Sequence, residues 1–507
     1  MLVRSWLTVA SARARASGLE LAQAESSVAR RASSTVRSRF STSSASKTCV
    51  AATRFQYDYL NDDITDDGKI DYGLTNKVPS ALRQAIAEGK QILVLINPPY
   101  AEAANRSNTE TATQAKNKVG VANTKFSLAS MTGYGKASNE LFTQFVARVA
   151  QEIPTATIAM FSTMKYVNAP NFEQFRTAWH AKYLGGFVVH NKAFDGLNGK
   201  FPIGFLVWKT NQSIKTIINE IQVEVLDKNV TPIGEKTFYN LPNSTFLNVW
   251  LSRPRPNNTQ VIPLKNTITP YTSSKCIDKW SDGAIAYMWC QNNDFQHAEQ
   301  QTVLFSSVWG DSHGFYVNAE NLWQAAVIFA VRRLFAPTWL NDRDQFLQPT
   351  ESLSDEFKND CLIWMLFHRC NQTASANDLE WNSKKWSIVN HFIPFTEAEV
   401  GAPERFESDF MVQYLSDKTL STEAALVLNE GKKLWQAYFS QTDEHGVRES
   451  LKLNRADVGW YQIRKALEAR NSNGFSQPVS FEAFKTAYET LGDKLRPQVY
   501  TLGFMRV

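Results

Sequence analysis

The sequence contains no apolar run of membrane-spanning length, which excludes a transmembrane helix. It contains no CxxC pair, and its five cysteines (Cys49, Cys276, Cys290, Cys361 and Cys370) are odd in number and widely spaced. A disulfide framework is therefore excluded as the basis of so long a fold, and the cysteines read as reduced thiols, mostly buried. His368 and Cys370 lie close together, but two further ligands at zinc spacing are missing. There is no internal repeat. The body of the chain also lacks net charge. Residues 1–50 hold eight basic and two acidic residues, a net +6, so of the total of +5 the remaining chain carries −1. Global charge thus gives no support to nucleic acid binding, and phosphate contacts would need a local patch.

What is present is core-forming material. Hydrophobic residues make up 43% of 507 residues and charged residues 20%, with 14 Trp and 31 Phe. This is a globular composition with an aromatic interior, long enough for two or three domains. The first fifty residues are different: rich in Arg, Ser and Ala, poor in acids, and ending in Arg37-Ser38-Arg39-Phe40-Ser41-Thr42-Ser43-Ser44. That composition matches a mitochondrial transit peptide and would place the protein in mitochondria. The competing reading is an unrelated disordered tail or a mispredicted start, with a cytoplasmic, prokaryote-like body behind it. On both readings residues 1–50 are set aside from the fold.

From Phe55 onward the pattern is organised. Gln91–Ile96 is a continuous apolar run, as expected of a strand buried on both faces. Residues 138–151 place Leu141, Phe142, Phe145, Val146 and Val149 at helical spacing, with Pro154 beyond the end. Residues 155–161 suit a strand, 171–183 a helix, and 186–190 and 203–209 two closing strands. This alternation predicts an α/β sheet with helices on both faces and right-handed crossovers between its parallel strands. After about residue 211 turn residues multiply, 222–239 alternates like a hairpin, and helical patterns follow at 322–334, 356–368, 422–439 and 481–491. The expected division is a catalytic region over 51–211 and a mixed α/β, mainly helical domain over 212–507.

In an open α/β sheet, ligands bind beyond the carboxyl ends of the strands. Asn97-Pro98-Pro99-Tyr100 stands at such an end. An exocyclic adenine amine is a poor nucleophile, because its lone pair is delocalised into the ring. Acceptors for both of its N–H groups localise that pair. The Asn97 side-chain oxygen can be one and the Pro98 carbonyl the other, on a loop stiffened by Pro98 and Pro99. Tyr100 can stack on the base, which must be flipped out of a duplex to be reached. The bland alternative is a Pro-Pro turn after a strand.

On this tetrapeptide the chain resembles the adenine-specific DNA N6-methyltransferases, in particular those related to type IIG restriction-modification enzymes. The resemblance implies a partial Rossmann-like sheet, S-adenosylmethionine as cofactor and DNA as substrate. It extends over about residues 55–210. Phe55-Gln56-Tyr57-Asp58-Tyr59-Leu60 resembles the family's strand end whose acid holds the cofactor adenine, which implies that role for Asp58. Glu140-Leu141-Phe142 with Phe145 resembles the helix start that packs on that adenine, implying Leu141 and Phe145 as cofactor contacts, although ordinary core packing accounts for such aromatics equally well. His190–Gly196 with Phe201–Phe205 resembles the last hairpin, implying Phe194 as the second ring that stacks on the target base.

The chain departs from the family in one respect. The Gly-rich cofactor loop should precede the Asp58 region, yet only Gly18 lies before residue 55. Thr132-Gly133-Tyr134-Gly135 is a poor substitute, since it follows the catalytic loop. The first strands and the Gly loop read as missing, so the chain is expected to be N-terminally truncated and to bind cofactor weakly by itself, unless a partner chain supplies that half. Two other classes stay open: a non-catalytic nucleic acid-binding or assembly subunit, and an RNA or protein N-methyltransferase. In the C-terminal region Asn257, Asn258, Trp280 and Trp289 suit base contacts, a carbohydrate surface or plain core.

Overall fold

A computed structural model describes residues 8–11, 53, 55–98, 124–194, 202–210, 217–274, 276–290, 302–310, 314–336, 345–440, 453–472 and 479–506. The chain is mixed α/β and divides into two compact units, the first ending at Asn243 and the second beginning at Ser244.

The first unit is built on a seven-stranded sheet: β1 (Thr8–Ser11), β2 (Ile92–Ile96), β3 (Thr157–Thr163), β4 (Ala181–His190), β5 (Pro202–Thr210), β6 (Glu220–Leu226) and β7 (Pro232–Tyr239). Their order across the sheet is β1-β2-β3-β5-β4-β6-β7. β2 and β3 are parallel. β5 is inserted antiparallel between β3 and β4, so β3 and β4 run the same way. Its helices include α1 (Ser80–Ala87), α2 (Leu141–Glu152) and α3 (Glu173–Ala178), besides short ones over Lys125–Ser130 and Lys165–Asn168. The expected strand–helix alternation is present. The helix expected over 171–183 is shorter, because a 3₁₀ turn over Pro170–Phe172 precedes α3 and β4 already begins at Ala181.

Two long-range pairings lay outside the reach of local pattern. The 222–239 hairpin belongs to the first sheet, because β6 pairs in parallel with β4 from Phe187↔Glu224 to Val189↔Leu226. This carries the first unit past residue 211. Within the segment set aside from the fold, Thr8–Ser11 pairs antiparallel with β2 and occupies the sheet's outer edge.

The sheet has two different faces. Side chains alternate along each strand. One face presents Ile92, Val94, Ile158, Met160 and Trp208, all 5% exposed or less. Trp208 donates its indole N–H to the Tyr166 hydroxyl at 2.9 Å, and Tyr166 meets Phe142 of α2 at 5.8 Å. That face is covered by a continuous aromatic layer. The other face presents Ala159, Phe187, Ile203, Phe205 and Val207, with Leu93, Phe161 and Phe194 only half-buried. Leu95 there is 41% exposed, and α1 buries none of its residues. Among the described residues the second face therefore has less apolar cover than the first.

The second unit has a four-stranded sheet of β8 (Ala284–Cys290), β9 (Thr302–Phe305), β10 (Gly314–Asn318) and β11 (Asn371–Gln372), in the order β10-β8-β9-β11, and a hairpin of β12 (Ala376–Trp381) and β13 (Lys384–Ile388). Helices α4 (Leu322–Arg333), α5 (Asp355–Leu366), α6 (Thr422–Ser440), α7 (Trp460–Ser472) and α8 (Glu482–Thr501) enclose its large core, which includes Phe329, Trp364, Trp435 and Leu491. The last helix runs ten residues beyond the expected 491 and accommodates Pro497. Among the described residues Cys290, Cys361 and Cys370 are buried free thiols and Cys276 is half-buried; Cys49 lies outside them. His368 accepts a hydrogen bond from the Cys370 backbone N–H at 2.9 Å. Among the described residues no group of three His, Cys, Asp or Glu side chains could hold a metal ion, and no helix is long and apolar enough to cross a membrane.

Candidate functional site

The carboxyl ends of β2, β3 and β4 lie at one edge of the first sheet. β2 forms as a strand because Ile92-Leu93-Val94-Leu95-Ile96 is an unbroken run of β-branched and aliphatic residues. Its pairing with β3 ends at Ile96↔Met160. One further step in that register sets Asn97 beside Phe161, at the usual strand spacing of ~4.8 Å. Alternation turns Asn97 to the face of Leu93 and Leu95, which is the incompletely covered one. Asn97 is exposed and Pro98 is buried. Pro99 and Tyr100 lie outside the described residues.

Phe194 reaches the same edge by a different route. β4 ends at His190, and a short 3₁₀ turn over Asn191–Ala193 follows. The His190 imidazole accepts from the Lys192 backbone N–H at 3.1 Å and fixes that turn. The Phe194 ring then meets Phe161 edge-on, with centroids 5.6 Å apart and planes at 81°. Phe161 also contacts Phe205 at 4.8 Å and Phe187 at 6.4 Å. The half-buried Phe161 ring is thus the link between Asn97 and Phe194. It was not singled out from sequence, where it reads as one more apolar residue of a strand. Only the parallel register with β2 gives it a neighbour of chemical interest.

The three residues implied as cofactor contacts lie elsewhere. Residues 55–58 form no strand. Asp58 is exposed, and its carboxylate accepts from the Leu60 N–H at 3.3 Å and the Asn61 side-chain amide at 3.0 Å. It closes a turn. Phe145 is 7% exposed, and its ring stacks on Tyr59 at 5.5 Å with planes 24° apart. Leu141, at the start of α2, is half-buried; Glu140 before it pairs with Lys165 at 3.0 Å.

Around Tyr59 lies a buried polar node. The Arg148 side chain is fully buried and pairs with Glu152, one turn on, at 3.1 Å. It also donates to the Tyr59 and Asp62 carbonyls and, at 2.7 Å, to the Tyr57 hydroxyl. Its guanidinium lies 4.5 Å from the Tyr59 ring centre. Tyr72 donates to Glu152 at 2.7 Å. Burial and then the Glu152 charge push the Tyr59 hydroxyl well above its usual range. Burial opposes the charge on Arg148, but Glu152 and the tyrosines outweigh it and hold the guanidinium protonated. The node anchors the 57–72 segment to α2.

As arranged, Asp58 and Phe145 do not fit an adenosine group. A cofactor ring could stack on Phe145 only by displacing Tyr59, and Asp58 is committed to its turn. Nor does Thr132–Gly135 form a phosphate-type loop: it leads into a kink at Gly135 (φ 59°) between two 3₁₀ turns within Thr132–Asn139, with Tyr134 against Phe175 at 5.8 Å. A Cβ on Gly135 would fall 1.8 Å from the Gln174 side-chain oxygen, so its glycine serves close packing.

No family model matches the chain, and no curated protein sequence matches it. A solved structure described as an ATP-dependent Type ISP restriction-modification enzyme LlaBIII bound to DNA aligns at 11% identity, over 42% of this chain and 15% of that one. The TM-score is 0.19, too low to equate the two folds.

Proposed function

We propose that the first unit carries the target-base site of a DNA adenine N6-methyltransferase. The observation that carries this reading is that β2 ends paired at Ile96↔Met160, so that Asn97 and Phe161 are the next residues of two parallel neighbours, and that the Phe161 ring meets Phe194. The Asn97 side-chain oxygen and the Pro98 carbonyl accept from the two N–H groups of the adenine amine, and the Phe194 ring takes one face of the base. Tyr100, two residues beyond Pro98, takes the other. S-adenosylmethionine is the methyl donor it requires. Asp58 and Phe145, as arranged, are not the residues that hold it. DNA is the substrate; RNA or protein is the less favoured alternative.

The second reading is a non-catalytic nucleic acid-binding or assembly subunit, favoured by the closed Tyr59–Phe145 stack. Titration calorimetry with S-adenosylmethionine tests whether this chain holds the donor by itself. The purified chain should give no micromolar binding. Clear binding would place a cofactor site within this chain and overturn the non-catalytic reading. Transfer of labelled methyl groups to DNA is the second measurement, and Asn97→Ala must abolish it. Equal transfer by that variant would remove Asn97 from the mechanism.

A further inference from the structure

In the second unit a cleft of about 290 Å3 lies between segment 260–262, the start of β8 and the end of β13, lined by Ile262, Trp280, Trp386, Ser387, Ile388 and His391, among others. That volume is at the lower end of the ~300–1,000 Å3 of small-molecule sites and holds one ring system. Among the described residues none that lines it is Lys, Arg, Asp or Glu.

Its walls are fixed. The Val261 N–H donates to the Asp278 carbonyl at 2.8 Å, and the Trp280 N–H donates to the Thr259 carbonyl at 2.9 Å. The Ser307 hydroxyl donates to the Ile262 carbonyl at 2.5 Å. On the hairpin side, the Trp386 indole N–H donates to the Trp381 carbonyl at 3.0 Å. Trp280 and Trp386 are both half-buried. Their ring neighbours meet them at an angle, Tyr316 at 84° to Trp280 and Trp381 at 59° to Trp386. Among the described residues no ring stacks flat on either.

One polar group stands out in this lining. His391 Nδ1 lies 2.7 Å from the Ser408 hydroxyl oxygen. That oxygen already accepts from the Phe410 N–H at 3.3 Å. Its own proton therefore serves Nδ1, which leaves the imidazole proton on Nε2. Burial holds the imidazole below its ordinary value, against the pull of Glu407 and Asp457. The ring is thus neutral at neutral pH and offers an N–H donor without charge.

These features select the ligand. A phosphate would find no cation in the lining. A sugar carries hydroxyls around its whole rim, and several would be buried unpaired against Ile262 and Ile388. A flat heteroaromatic ring has apolar faces for the tryptophans and acceptors only at its edge. We propose that this cleft binds one uncharged nucleobase, of a free nucleoside or of an unpaired strand, against Trp280 and Trp386 with an edge acceptor on His391 Nε2. The proposal stands independently of methyl transfer.

The test is saturation-transfer NMR and equilibrium dialysis of the full chain with adenosine, cytidine, adenosine 5′-monophosphate, methyl glucoside and a mixed-sequence single strand of about 12 nucleotides. A nucleoside should bind saturably and methyl glucoside should not. The monophosphate should bind no tighter than adenosine, since the cleft holds no cation. A strand that binds tighter than either nucleoside identifies the base of a strand as the ligand, and one that binds no tighter identifies the free nucleoside. Trp386→Ala should weaken nucleoside binding about tenfold. Ser387→Trp, at an exposed position of the lining, should weaken it similarly and tests the proposal even if Trp386→Ala fails to fold. No saturable nucleoside binding up to about 1 mM would overturn the proposal. So would binding that survives both changes, or that is lost only in Phe194→Ala and so belongs to the first unit.

Discussion

Within the first unit, the strand-end edge and the α2 surface use the same kinds of residue to opposite effect. At the edge, Phe161 and Phe194 meet edge-on and stay half-buried beside an exposed asparagine. On α2, Tyr59 and Phe145 are stacked, buried and held by Arg148 and Glu152. An aromatic ring can receive a planar ligand only if one of its faces is left to solvent. The edge leaves its rings partly open, and the α2 surface covers its own. Aromatic residues at family-like spacing therefore do not by themselves mark a binding site; the burial of their faces does.

The sharpest way to break this contrast is through Arg148. Arg148→Ala leaves Glu152 buried without its partner and should cost about 3–5 kcal/mol of first-unit stability. Arg148→Met/Glu152→Leu, which removes both charges at similar volume, should recover most of that. Chemical denaturation followed by tryptophan fluorescence measures both, and an equal loss in the double variant would mean that the ion pair is not the anchor.

The two phenylalanines make a second comparison. Phe145→Ala should cost about 3–5 kcal/mol, as for a buried ring. Phe194→Ala should cost clearly less and should act mainly on base binding. Similar costs would show that the edge is as closed as α2.

His368, in the second unit, provides a reference for a group that is fully enclosed. Burial first, then Arg333, Arg369 and Arg464, hold its imidazole well below the ordinary value of 6.5. Above that value the ring is neutral in both folded and unfolded chains. Below it the unfolded chain takes up a proton that the folded chain refuses. Stability should thus fall with decreasing pH below 6.5, by up to about 1.4 kcal/mol per pH unit until the folded chain titrates. Melting curves between pH 7.5 and 5.5 test this, and His368→Gln should flatten the dependence.

The smallest effect belongs to the residue of greatest chemical interest. Asn97→Ala should change stability by less than about 0.5 kcal/mol, since the side chain is exposed and outside the core. A large loss of stability would show a structural role for Asn97 instead of the proposed catalytic one.

Much of the first unit was legible in its sequence. The run 92–96, the 3.6-residue spacing of Leu141, Phe145 and Val149, and the alternation over 222–239 each gave the right element, because hydrophobic period is a local property. The candidate edge was legible in part. Asn97 follows an unbroken apolar strand, which places it at a strand end without knowledge of the neighbours. Phe161 was not legible, since its importance lies in a register with a strand 64 residues earlier, as in Leu93↔Thr157. Asp58 and Phe145 were recognisable as residue types, but whether a carboxylate closes a turn or a ring meets a tyrosine depends on contacts that sequence spacing does not encode.

The sequence by itself therefore determined the kinds of element, the α/β class and the strand end that carries Asn97-Pro98. Tertiary structure decided the rest: that β6–β7 joins the first sheet, that Phe161 stands between Asn97 and Phe194, and that Tyr59 closes over Phe145. The physical reason is one of range. Periodicity and turn chemistry act over a few residues, whereas register, ring stacking and burial of charge are settled by segments far apart in the chain that must share one interior.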